Sequence, residues 1–178
     1  MQLFWKQIGQ RILKPRHLQD LMERKNPFRH VIWQTVKASK GITALKREFK
    51  KADIEWHSWH ISLDRPEFSW IPAGTAIDLT LKRVSDFGFK NKTNYESICT
   101  RAQQEGLLLC PHEAAVQIWR KGKPGRHITV ATKPIFTSSG WVVMRIDDDG
   151  TPGNFIYERA QGEPCYETYE FFVFALRK

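Results

Sequence analysis

The chain has 178 residues, of which 41% are hydrophobic, 12% aromatic and 26% charged. These values are typical of a globular protein and exclude disordered, collagen-like and coiled-coil chains. The length favours one domain, or one domain with an appendage. The formal net charge at pH 7 is +9.

The positive charge is concentrated at the start of the chain. Residues 1–51 contain 13 Lys and Arg against three acidic residues, whereas the remainder contains 15 basic and 16 acidic groups. This asymmetry indicates a polyanionic partner, either nucleic acid or an anionic membrane surface. A solvated helical face rich in lysine accounts for the same pattern equally well.

The cysteines and the hydropathy indicate the compartment. Cys99, Cys110 and Cys165 are odd in number and widely spaced, which is typical of reduced thiols rather than a disulfide framework. No apolar run has the length of a membrane span, and residues 1–13 lack the apolar core of a signal peptide. We therefore expect a cytoplasmic protein.

Residues 1–52 are predicted to form a basic helical segment. Apolar residues recur at helical spacing in residues 1–14, where they define an amphipathic helix that Pro15 ends. Asn26-Pro27 predicts the start of a helix that reaches about Ser39, and another helix is expected over Thr43–Ala52 after Gly41. Residues 53–75 are predicted to form an irregular, aromatic-rich connector.

Residues 76–178 are predicted to form an α+β domain. Alternating apolar residues over 77–84 indicate a strand, and Thr93-Asn94-Tyr95-Glu96 indicates the start of a helix that Gly106 ends. One helical turn is expected at His112–Ala115. An antiparallel β-meander then follows, with strands at Val116–Arg120, His127–Pro134, Trp141–Asp147, Asn154–Glu158 and Glu170–Arg177.

The order of short motifs in residues 43–178 resembles a known group of sequences. The motifs are Val-Ser-Asp-Phe-Gly-Phe after the first strand, Ala-Gln-Gln-Glu-Gly-Leu at the helix end, Leu-Leu-Cys-Pro-His-Glu-Ala-Ala, and Phe-Val-Phe-Ala-Leu-Arg-Lys at the end of the chain. This pattern is similar to an uncharacterised family of small hypothetical proteins abundant in Parcubacteria and related uncultured bacteria. The resemblance implies no activity and no functional residues.

One group of residues has the chemistry of a metal-independent ribonuclease. A hairpin between residues 116–120 and 127–131 would bring His127 close to Arg120, with His112 and Glu113 just upstream. Histidine and glutamate supply a base and an acid, and arginine stabilises a phosphorane. Pro111-His112-Glu113 is also the ordinary first turn of a helix with its preferred acid.

Two other groups have weaker chemical signatures. His57, His60 and Asp64 are metal-ligand types, but the surrounding tryptophans favour a packed connector. Asp147-Asp148-Asp149-Gly150 lacks the spacing of a calcium loop and is better explained as a turn. We predict no cofactor and no metal.

The first functional hypothesis is a non-enzymatic module that binds RNA or DNA through its basic helices. The two predicted helices in Asn26–Ala52 loosely resemble a helix-turn-helix motif. Their exposed face is mostly Lys and Arg, which favours contacts with phosphates over recognition of bases. The alternatives are the ribonuclease and a module that docks a protein partner through residues 1–14. The predicted phosphate-binding residues are Lys37, Lys40, Lys46, Arg47, Lys50 and Lys51.

Overall fold

The computed structural model describes residues 30–51, 63, 65–121, 125–138, 140–146, 155–160, 162–163 and 165–177. The predictions for residues 1–29, for His57, His60 and Asp64, and for Asp147–Gly150 lie outside these described residues. The part that is described contains three α-helices and six β-strands. In chain order they are β1 (Gln34–Lys37), α1 (Ile42–Lys51), β2 (Ala76–Arg83), α2 (Tyr95–Gln104), α3 (His112–Arg120), β3 (Ile128–Thr137), β4 (Gly140–Ile146), β5 (Phe155–Arg159) and β6 (Phe171–Ala175).

The six strands form one mixed sheet in the order β1-β2-β6-β3-β4-β5. β6 is antiparallel to β2 and parallel to β3, while the other neighbours are antiparallel. Four of the five residues of β6 are buried. A strand that is covered on both faces has a nearly continuous apolar sequence, as Phe-Phe-Val-Phe-Ala does here.

Helices cover both faces of the sheet. On the first face, Leu45 of α1 and Ala114, Val116 and Ile118 of α3 share a core with the sheet residues Leu79, Val130, Met144 and Val173. On the second face, α2 packs its buried residues Ile98, Cys99 and Ala102 against Ala131, Val143, Phe172 and Phe174. The arrangement is a three-layer α+β fold, and the predicted fold class is confirmed at this level.

The strand β1 corrects the predicted helix that reaches Ser39. Residues 34–37 pair with β2, and Val36 is buried in the first-face core. Val31 and Ile32, which lie within the range of the predicted helix, are exposed. The helix-turn-helix interpretation is therefore wrong for these residues, whereas the predicted helix after Gly41 is confirmed as α1.

Two further corrections concern the predicted meander. Residues 116–120 continue α3 rather than forming a strand, because the single turn expected at His112 extends to Arg120. The last strand does not follow β5 in the sheet but inserts between β2 and β3. The antiparallel meander is thus limited to β3, β4 and β5. In the described part of the chain, no helix is long and apolar enough to cross a membrane.

Candidate functional site

A buried carboxylate connects three segments of the chain. Glu113 is 1% exposed and lies in the first turn of α3. Its Oε1 accepts hydrogen bonds from the Ser39 amide at 2.5 Å and from Nε2 of Gln117 at 3.0 Å. Its Oε2 accepts one from the Ile71 amide at 2.8 Å. A buried carboxylate needs such donors to offset its desolvation, so Glu113 holds residues 39 and 71 against α3.

The neighbouring His112 makes a second set of contacts. It is also 1% exposed. Its Nδ1 lies 3.0 Å from the Ser69 amide nitrogen and 2.7 Å from Ser69 Oγ, and its Nε2 lies 2.7 Å from the carbonyl oxygen of Lys133. A carbonyl only accepts and an amide only donates, so Nε2 carries the proton and Nδ1 accepts. Burial lowers the pKa of His112 below its ordinary value.

Ser69 is a member of this network that sequence reasoning missed. Its hydroxyl oxygen accepts the His112 amide at 3.0 Å, and its carbonyl accepts the Glu113 amide at 3.1 Å. Ser69 therefore satisfies the first amides of α3 from a segment 43 residues earlier in the chain. No local spacing marks such a residue, because the partner helix is distant in sequence.

The structure does not bring the predicted ribonuclease residues together. The hairpin that would have joined His127 to Arg120 is absent, since residues 116–120 are helical. His127 is exposed and precedes β3, whereas His112 contacts Lys133, six residues further along that strand. Six strand residues span on the order of 20 Å. Arg120 is exposed at the end of α3 and donates to Gln117 Oε1 at 3.1 Å. The side chains of His112 and Glu113 form hydrogen bonds within the fold.

The predicted phosphate-binding residues lie on β1, α1 and the turn between them. Lys37 and Lys40 are exposed on either side of Ser39. Arg47 and Lys50 are exposed on the outer side of α1, opposite the buried Leu45, and Lys46 is half-buried. Lys51 is the last residue of α1, and its side chain lies outside what the structure describes.

An exposed aromatic pair lies at the β3–β4 hairpin. Phe136 and Trp141 are cross-strand partners, with ring centroids 5.2 Å apart in an edge-to-face arrangement. Phe136 is 54% exposed and Trp141 is 40% exposed. The Arg65 guanidinium donates a hydrogen bond to the carbonyl of Phe136.

Residues 37–41, which carry Lys37 and Lys40, are called the basic turn, and they lie at the same end of the sheet as the aromatic pair. At this end β1, β3, β5 and β6 finish, while β2 and β4 begin. The network of Glu113 and His112 lies here as well, since it joins Ser39 to Ser69, Ile71 and Lys133. We call this the basic–aromatic end, and its exposed or half-buried members are Lys37, Lys40, Arg65, Lys133, Phe136 and Trp141. Glu67, also exposed, is an acidic neighbour of Arg65.

A cleft of about 540 Å³ opens beside α2 on the second face of the sheet. Asn94, Glu96, Gln103, Leu109 and Pro134 are among the residues that line it. Cys99 also lines the cleft, but burial raises the pKa of its thiol to about 12. The thiol is therefore protonated at neutral pH and is a poor nucleophile.

Within the described ranges, no group of three His, Cys, Asp or Glu side chains is placed to hold a metal ion. No family model, curated protein or solved structure matches this chain. The resemblance to the Parcubacteria family stays a prediction.

Replacing Glu113 with glutamine is expected to destabilise the protein strongly. The Glu113→Gln side chain keeps its volume but turns an N–H group towards donors that need an acceptor. Urea unfolding should show a loss of about 2–3 kcal/mol in the free energy of unfolding. Glu96→Gln is the matched control, because Glu96 is exposed in the first turn of α2. Equal stability of the two variants would contradict this role of Glu113.

The lowered pKa of His112 predicts a pH-dependent stability. The ordinary histidine pKa is 6.5, and the unfolded chain binds a proton near that value while the folded protein resists it. The stability contribution is full above pH 6.5 and decreases below it, by at most about 1.4 kcal/mol per pH unit. Urea unfolding at pH 7.5, 6.5 and 5.5 should show wild type converging on His112→Gln as the pH falls. Parallel stability curves for the two proteins would refute this assignment.

Proposed function

We propose that this protein is a non-enzymatic nucleic-acid-binding module that contacts phosphates through its basic residues. The observation that carries the proposal is the exposure of Lys37, Lys40, Arg47 and Lys50 on β1, α1 and their connecting turn. Each of these side chains reaches solvent while Val36 and Leu45 of the same elements are buried in the core.

Support comes also from how firmly the basic turn is held. The Ser39 amide, between Lys37 and Lys40, donates to the buried Glu113 carboxylate. The Lys121 ammonium donates to the carbonyl of Thr35 on β1, which adds another cation beside this strand. A fixed backbone lowers the entropic cost of ordering cations against a polyanion.

The contacts that supply affinity in this proposal are electrostatic. A cation that neutralises a phosphate releases counterions, so affinity falls with salt concentration. Lysine and arginine side chains on a helix exterior suit phosphate contacts and give little base specificity. The proposed module therefore binds nucleic acid with low sequence preference. Non-enzymatic binding is also favoured by the burial of His112 and Glu113, whose side-chain hydrogen-bonding atoms have partners within the fold.

The test measures the salt dependence of binding to a fluorescein-labelled 12-nucleotide oligouridylate between 50 and 200 mM KCl. Each phosphate contact contributes about 0.7 to the slope of log affinity against log salt for a single strand. The variant Lys40→Gln/Lys50→Gln should therefore reduce the slope by about 1.4, with weaker binding at every salt concentration.

The matched control is Lys82→Gln/Lys90→Gln, which removes the same charge from β2 and the loop that precedes α2. It should retain the wild-type slope. Equal loss in both variants would mean that only net charge matters and that the basic turn and α1 are not the contact surface. Absence of binding by wild type at 50 mM KCl would overturn the proposed function.

A further inference from the structure

The pair Phe136–Trp141 is unusual because large aromatic side chains seldom stay exposed side by side on a folded protein. Its position in the sheet explains the exposure. Ile135 and Val142, the preceding cross-strand pair, are buried, so the next pair must point to the opposite face. On that second face, the core that α2 covers contains Ala131 and Val143, and the hairpin carries the aromatic pair beyond them.

The backbone that carries the pair is well anchored. Arg65 donates to the carbonyl of Phe136, and the Ala160 amide donates to the carbonyl of Trp141 at 2.9 Å. The Thr137 hydroxyl donates to the carbonyl of Gly140 at 3.0 Å and closes the hairpin. The two rings are therefore presented by a fixed strand pair, which limits the entropy lost when a ligand stacks on them.

Several cations lie at the same end of the sheet as the two rings. Lys133 is exposed three residues before Phe136 on β3, and Arg65 lies against the Phe136 backbone. Lys37 and Lys40 lie at the same end of the sheet. An apolar partner gains nothing from these charges. A nucleic-acid strand is complementary to both the cations and the rings, because its phosphates are negative and its bases are flat and aromatic.

We propose that Phe136 and Trp141 form a stacking platform for the unpaired bases of a single-stranded nucleic acid. The inference rests on the proposed function and specifies the kind of nucleic acid that is bound. Bases in a duplex are stacked on each other and cannot reach the rings, so the platform selects single strands. Every base has a π-face, so stacking adds affinity with little sequence preference.

The experiment compares a fluorescein-labelled 12-nucleotide oligouridylate with a 12-base-pair duplex by anisotropy at 100 mM KCl. The full-length protein is used as wild type, Phe136→Ala and Trp141→Ala. Each substitution should weaken single-strand binding by about tenfold, in line with the loss of one stacked base. Duplex binding should stay within about twofold of wild type, because phosphate contacts by the lysines are unchanged.

Tyr169→Ala is the matched control. Tyr169 is an aromatic residue that is 70% exposed, but it precedes β6 at the opposite end of the sheet. It should leave single-strand affinity unchanged. Thermal unfolding of all three variants establishes whether they retain the fold, and Trp141→Phe gives a second, milder change that should retain most of the affinity because a ring remains.

The outcomes separate this inference from the proposed function. If wild type binds neither probe, both proposals fail. If wild type binds in a salt-dependent manner but the folded Phe136→Ala and Trp141→Ala variants bind like wild type, the platform is refuted and the proposed function stands. If these variants instead change the sedimentation coefficient without changing oligouridylate affinity, the pair is an interface between copies of the chain and the platform is again refuted.

Discussion

The buried carboxylate of Glu113 is the constraint on which one end of this fold depends. Its two oxygens accept from Ser39, Gln117 and Ile71, which belong to three separate parts of the chain. A charge in this environment is tolerated only while all of these donors are in place, because an unpaired buried charge costs several kcal/mol. His112 adds a neutral bridge from Ser69 to Lys133 directly beside it. The first turn of α3 thus ties the turn after β1, the segment before β2 and the strand β3 into one unit.

This unit determines which side chains lie at the same end of the sheet. Ser39 lies between two exposed lysines, Lys133 is three residues from Phe136, and the segment that contains Ser69 also carries Arg65. Fixing the backbone at these points brings cations and an aromatic pair to one end of the sheet. The net charge of residues 52–178 is close to zero. Composition therefore does not reveal that cations and exposed rings lie together at this end of the sheet. The proposed binding of single-stranded nucleic acid uses both features, with the lysines contacting phosphates and the rings contacting bases.

Sequence patterns correctly predicted those elements whose pattern of apolar residues fits only a helix or only a strand. The alternating apolar residues over 77–84 predicted β2, and the motif Thr93-Asn94-Tyr95-Glu96 predicted the start of α2, whose cap is Asn94. Residues 116–120 were misassigned because a helix that is buried on most sides shows apolar residues two apart, as a strand does. The hydrogen bond from Gln117 to Glu113, four residues apart, requires the helix. Pairing of β6 with β3 and the contact of Ser69 with His112 depend on residues more than 40 positions apart, which local patterns do not encode.

Hydrogen–deuterium exchange of Glu113→Gln tests most directly whether the carboxylate holds the basic–aromatic end together. The amides of Ser39, Ser69 and Ile71 should be protected in wild type and should exchange much faster in the variant. Amides in the central strand β6 should lose only the protection that the global loss of about 2–3 kcal/mol removes, since the sheet core does not contain Glu113. Unchanged protection of Ser39 and Ile71 in the variant would contradict the account, because these amides would then be held by something other than this carboxylate.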